Sequence, residues 1–141
     1  MIDQLTVFLA NEKGRLASAC RVIADAHIDM HALFLADTQD FGVARIFCDT
    51  PHKAAEVLVA QGYRATVTPV LGVEVPNHPG GLAQLLEFFD EQDVNIEYGY
   101  CFSINGDTAI DVLKVSDPSV EEKLVGTHYV SVKPEDIYAL D

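Results

Sequence analysis

Basic residues are scarce in this chain. Its 141 residues hold 9 Lys and Arg against 22 Asp and Glu, a formal charge of −13. Neutralising phosphates takes clustered Lys and Arg. No such cluster occurs, so nucleic acid is excluded as a partner class, and an anionic membrane surface falls with it. Apolar runs long enough to span a bilayer are missing too. Met1-Ile2-Asp3-Gln4 lacks the basic stretch that opens a secretory signal. A cytoplasmic location is the expectation. Cysteine is sparse and odd in number: Cys20, Cys48 and Cys101 stand apart in apolar surroundings. That pattern reads as buried free thiols acting as small hydrophobes. No Gly-x-Ser-x-Gly, phosphate loop or dinucleotide fingerprint occurs, and the carboxylates are scattered over helix ends and loops. An enzyme is therefore not expected, nor is any cofactor. Linker-like stretches rich in Gly, Ser and Pro are also absent.

What the chain does have is a repeat. Asn11-Glu12-Lys13-Gly14-Arg15-Leu16-Ala17 returns as Asn77-His78-Pro79-Gly80-Gly81-Leu82-Ala83, 66 residues later. At the same shift Leu16, Ala19, Cys20 and Ile23 fall on Leu82, Leu85, Leu86 and Phe89, and Ile28-Asp29-Met30 falls on Val94-Asn95-Ile96. A repeat of this length is one structural unit used twice. Each unit, at roughly 70 residues, is near the size at which a lone hydrophobic core is marginal, so the two are expected to pack together. The expected domains are residues 1–69 and 70–141.

Periodicity orders the elements. Leu5 to Leu9 reads as a strand, and apolar residues at 16, 19, 20, 23 and 26 mark one face of a helix over Arg15 to Ala26. Met30 to Asp37 and Gly42 to Cys48 form a hairpin around Thr38-Gln39-Asp40. Asp49-Thr50-Pro51 opens a second helix, with Asp or Thr as cap and Pro in the first turn. Gly62 ends it, and Arg64 to Thr68 is a fourth strand. The second unit repeats these signals: strand Leu71 to Val75, helix Gly81 to Gln92, and strands Ile96 to Ser103 and Thr108 to Val115 around Asn105-Gly106. A helix from Asp117-Pro118 to Gly126 and a strand from Tyr129 to Lys133 complete it. Ile137 to Leu140 reads as a short edge strand.

A β-α-β-β-α-β order predicts an α+β, ferredoxin-like unit: a four-stranded antiparallel sheet with both helices on one face. Phe34, Leu35, Val43 and Phe47 put apolar residues on both faces of the first hairpin, which argues that the open sheet face is covered.

A unit of this order whose first loop reads Asn-x-x-Gly-x-Leu into a helix resembles the ACT domain, a small amino-acid-sensing module. Val75 to Leu82 is the closer match, and Val94-Asn95-Ile96-Glu97-Tyr98 resembles the family's second strand. The first copy departs at Lys13, where the pattern prefers Pro, and at Asp29-Met30. The resemblance covers nearly the whole chain and implies a free-standing tandem ACT protein. It implies sheets paired side by side, a homodimer, and a free L-amino acid bound at domain interfaces against the Gly loop. The ligand-binding residues it points to are Asn11, Gly14, Arg15 and Leu16 in one copy, and Asn77, His78, Pro79, Gly80, Gly81, Leu82 and Tyr98 in the other.

Those residue types suit the task. A turn entering a helix presents unpaired N–H groups and the positive dipole end, which favour a carboxylate. Gly14 and Gly80 permit close approach or positive φ, and Asn11 and Asn77 bring a donor and an acceptor to a zwitterion. Each Asn and Gly equally suits plain turn formation, and Arg15 and His78 suit solvated positions better than ligand contact. Tyr98 and Tyr100 share a strand face, which suits interface packing. His27 and His31 have metal-ligand spacing only on a helix, and that helix ends near Ala26; no third ligand is suitably spaced. No metal is expected. An RNA-binding module of this topology needs basic residues, and they are missing. The alternative to the sensor is a protein–protein interaction module, a regulatory subunit of a metabolic enzyme without its own small-molecule ligand.

Overall fold

The computed structural model describes residues 1–37, 40–117 and 119–141. Thr38 and Gln39, in the expected hairpin turn, and Pro118, at the expected start of the last helix, lie outside the described residues. The chain runs β1 (Ile2–Ala10), α1 (Arg15–Asp25), β2 (Met30–Asp37), β3 (Phe41–Cys48), α2 (Pro51–Ala60), β4 (Arg64–Pro76), α3 (Gly81–Glu91), β5 (Ile96–Asn105), β6 (Thr108–Val115), α4 (Val120–Leu124) and β7 (Val130–Ser131), then a 3-10 turn at Pro134–Asp136.

Packing divides the chain into two compact units. One comprises Asp3–Thr68 with Pro134–Asp141, and the other comprises Met1–Ile2 with Pro69–Lys133. In the first, β1 pairs antiparallel with β3 from Leu5↔Ile46 to Ala10↔Phe41, and β2 pairs with β3 on the outside. Residues 64–68 of β4 flank β1 on its other side. Alternation sends Leu5, Val7 and Leu9 of β1 and Ala44, Ile46 and Cys48 of β3 into one core. Over them lie Ala19 and Ile23 of α1 and Ala54 and Leu58 of α2, spaced four apart as one helix face requires. Each large side chain buried there contributes roughly 1.5–3 kcal/mol. Gln4 and Thr6 are buried as well and satisfy each other: Gln4 Nε2 donates to Thr6 Oγ1 at 3.0 Å, and Thr6 Oγ1 meets Thr68 Oγ1 at 3.0 Å.

In the second unit residues 71–76 of β4 pair with β6, β6 pairs with the edge strand β5, and β7 pairs with β4. Its core repeats the pattern with Leu71, Val73 and Val75, Leu85 and Phe89, Leu113 and Val115, and Val120 and Leu124 of α4. Phe88 packs on Tyr129 with ring centroids 5.8 Å apart.

Three expectations need correction. The strands expected at 64–68 and 71–75 are one continuous strand, β4, running through Pro69. Ile137 to Leu140 is not a strand: beyond the 3-10 turn Tyr138 buries its ring, and its hydroxyl oxygen accepts the Asp3 N–H at 2.8 Å. The thiols also differ from expectation. Cys48 is buried, Cys20 is half-buried and Cys101 is exposed, because Cys101 lies on the edge strand, which has a neighbour on one side only.

Candidate functional site

The two Gly loops fold alike. Gly14 (φ 88°, ψ −7°) and Gly80 (φ 89°, ψ −10°) each precede a helix in the left-handed conformation. Their hydrogen bonds correspond one to one. Glu12 N–H donates to Ala10 O at 2.8 Å and His78 N–H to Pro76 O at 3.0 Å; Ser18 N–H donates to Gly14 O at 3.0 Å and Gln84 N–H to Gly80 O at 2.9 Å. Neither helix has a side-chain cap. A Cβ at Gly14 or Gly80 would meet nothing within 4 Å, so these positions are glycine for their φ and not for lack of room.

Around this shared turn the copies diverge. In the second, Asn77 anchors the loop to the β5–β6 turn: its Nδ2 donates to Gly106 O at 3.0 Å and its N–H to Asp107 O at 2.7 Å. His78 Nδ1 lies 3.0 Å from Pro79 O. Gly81 is fixed by contact, since a Cβ there would stand 2.1 Å from Pro76 O. In the first copy Arg15 occupies that position. Its guanidinium lies 5.2 Å from the Tyr63 ring centroid, and its Nε is buried with no hydrogen-bond partner among the described residues. Asn11 is exposed beside it. Asn11, Arg15, Leu16, Leu35, Asp37 and Gly42 border a cleft of about 90 Å³. Pockets that enclose a small molecule hold about 300–1,000 Å³, so this cleft is too small to enclose one by itself.

Leu16 is half-buried against its unit's core, but Leu82 is 45% exposed; α3 is anchored by Leu85 and Phe89 instead. Leu82 and Leu86 overhang a larger cleft of about 330 Å³, with Ile96, Gly99, Cys101, Asp111 and Leu113 among its walls. Tyr98, on β5 opposite Lys114, is half-buried and does not line that cleft, whereas Tyr100 does. Burial pushes the Asp111 carboxyl above its ordinary value. The Cys101 thiol is likewise raised, by burial first and then by the Asp111 charge. Asp111 is the residue that sequence reasoning missed. The signal was there: in Thr108-Ala109-Ile110-Asp111-Val112-Leu113-Lys114-Val115, alternation puts Asp111 on the face of Leu113 and Val115, which is the core face.

His27 and His31 are apart in role. His27 follows α1 with φ 58°, while His31, on β2, places Nε2 2.7 Å from Asp49 Oδ1. Among the described residues no group of three or more His, Cys, Asp or Glu is arranged to hold a metal ion, and no helix is long and apolar enough to cross a membrane.

The duplicated βαββαβ order, with a left-handed glycine ahead of each first helix, matches one family model, the ACT domain pair, over residues 1–138. The chain belongs to the ACT domain pair family. Among solved structures, this ACT pair is similar to protein BT0572 from Bacteroides thetaiotaomicron, at 34% identity and TM-score 0.89, covering 99% of this chain and 96% of that one. It also shares its fold with the regulatory subunit of aspartate kinase from Thermus thermophilus in ligand-free form, at 15% identity and TM-score 0.66, covering 89% and 90% of the two chains. The regulatory subunit of aspartate kinase from Thermus flavus is similar at 18% identity and TM-score 0.62, covering 88% and 90%. No curated protein matches the chain.

Proposed function

We propose that this ACT pair is a non-catalytic regulatory protein that binds a free L-amino acid at ACT-domain interfaces and signals through domain or subunit association. The observation that carries the reading is the identical backbone of the two Gly loops, at φ 88° and 89°, in a chain of this family. A folded turn repeated at 66 residues' distance while its side chains diverge is one whose backbone matters. The half-formed cleft at the first loop, with the unpartnered Arg15 Nε on its wall, suits a carboxylate held between that loop and a neighbouring ACT domain. A ligand completing such a site favours the associated state by its differential affinity for it. The partner enzyme would then read the state of association.

Homodimerisation through β2 fits this reading. β2 is the edge strand of its unit, and Leu33, Phe34 and Leu35 are 44%, 41% and 48% exposed. An apolar edge strand is a template for pairing with another chain. The same exposure favours a second reading, a regulatory subunit that docks on an enzyme with no ligand of its own.

Thermal unfolding with each of the twenty L-amino acids at millimolar concentration separates the two. Ligand at a hundred times its dissociation constant adds about 2.7 kcal/mol, several degrees at this chain length. One amino acid, or a few similar ones, should raise the midpoint. Gly14→Asp and Gly80→Asp together should remove the shift by setting a charge beside the ligand carboxylate at either loop, while the corresponding pair of Ala substitutions, with the same backbone strain and no charge, should retain most of it. No shift with any of the twenty would leave the enzyme-docking subunit as the reading.

A further inference from the structure

The 330 Å³ cleft of the second unit is separate from the loop turn, sharing only Leu82 with it. Its unusual component is Asp111, which is 8% exposed. No hydrogen bond or ion pair among the described residues reaches its carboxylate, and burial alone accounts for its raised pKa. Buried carboxylates are ordinarily paired, because removing an ion from water is costly unless another charge or donors replace the solvent. Here the surroundings are mostly hydrocarbon, Leu82 and Leu86 from α3, Ile96 from β5 and Leu113 from β6, with Tyr100 and Cys101 of β5 beside them. Gly99 keeps the cleft open, since a Cβ there would stand 2.7 Å from Leu113 Cδ2.

The first unit serves as an internal control. Pairing of Val73 with Asp111 corresponds to pairing of Val7 with Ala44, and Leu71 with Leu113 to Leu5 with Ile46. Ala44 therefore stands where the second unit has Asp111. On the adjoining strand Leu35 opposes Ala44 and Leu33 opposes Ile46, where the second unit sets Cys101 and Gly99 opposite Asp111 and Leu113. The helix differs in the other sense, with Cys20 in place of Leu86, but not in charge. The same fold is thus built without the carboxylate and with leucines at the two strand positions that the second unit leaves small. Asp111 answers to something other than the fold.

We propose that this cleft binds a small ligand bearing a protonated primary amine on a compact hydrocarbon body. Asp111 accepts the ammonium's charge-assisted hydrogen bonds, which are about twice as strong as neutral ones, and the Leu and Ile side chains enclose the hydrocarbon. The volume lies at the low end of small-molecule pockets, which limits the body to a few carbons. A carboxylate ligand would face Asp111 with like charge, and a neutral one, though able to donate a hydrogen bond, would leave its charge unmatched.

Isopentylamine is the probe, titrated calorimetrically into the full chain near neutral pH, with isopentyl alcohol and 4-methylpentanoate as controls of matched hydrocarbon. The amine should saturate one site per chain and bind at least tenfold more tightly than either control. Asp111→Asn, close in shape, should weaken the amine at least tenfold. Cys101→Leu, which installs the first unit's side chain, should weaken it by filling the cleft while leaving the carboxylate in place, so a folding defect in one variant does not decide the matter. Absence of saturable amine binding, equal binding of the alcohol, or amine affinity unchanged in both variants overturns the proposal.

Discussion

Asp141 does for α2 what no residue near the helix does. Asp141 Oδ1 and Oδ2 accept the N–H groups of His52 and Lys53 at 3.0 and 2.9 Å, in the first turn where the helix has no partners of its own. Asp49 Oδ1 accepts the Ala139 N–H at 2.7 Å and faces His31 Nε2. Asp49 is held below its ordinary value by the Ala139 N–H and then by His31. For Asp141, burial works upward, but the N–H groups of Lys53 and His52 and the His52 imidazole outweigh it, and the carboxyl is lowered. A carboxyl lowered in the folded state stabilises above its unfolded value, and that stability is lost as pH falls through the folded one. The Ala139, His52 and Lys53 amides should therefore lose hydrogen-exchange protection below about pH 4, beyond the change in intrinsic rate, while the core amides of β1 keep theirs. Equal protection at pH 3 and pH 6 would contradict this. Asp111 runs the other way: raised in the folded state, it contributes most at acid pH and its contribution is lost as pH rises through that raised value.

At the scale of elements, short-range signals were legible and long-range partners were not. The helical faces through Ala19 and Ile23 and through Leu85 and Phe89 were evident from spacing, and both faces are buried. The cap of α2 was expected from Asp49 or Thr50, yet Thr50 makes no side-chain cap bond and the acceptor is Asp141, 88 to 89 residues away. No local pattern encodes such a partner. Register was equally hidden. Alternation with Leu113 and Val115 puts Asp111 on the core face, but its partner there, Val73, would change with one residue of slip, and only the strand pairing decides it. β2 gives the element-scale prediction. Lys at both Leu33 and Leu35, which share a sheet face with Ile46 and Ala44 but stand outside the buried cluster, sets charge on an edge strand, a change that blocks edge pairing. Sedimentation equilibrium should show the wild type as a dimer and the doubly substituted chain as a monomer with an unchanged circular dichroism spectrum. A dimer in both would remove β2 from the interface.

For the whole molecule, the repeat was the decisive sequence feature, because it fixed element order and family together. The charge of −13 told which partners to discard but not which to choose. What the repeat concealed was the divergence between its copies: Arg15 against Gly81, Ala44 against Asp111, an exposed Asn11 against an Asn77 tied to Gly106. Identical backbones with different linings imply that the two loops need not favour the same ligand. The central claim, that these loops receive a free amino acid, is tested most directly by an amide NMR titration of the isotope-labelled chain with the twenty L-amino acids. The account predicts that at least one of them shifts, saturably, the amides of Asn11 to Leu16 or of Asn77 to Leu82 other than Pro79. Saturable shifts confined to other parts of the chain, or none at all, would contradict it.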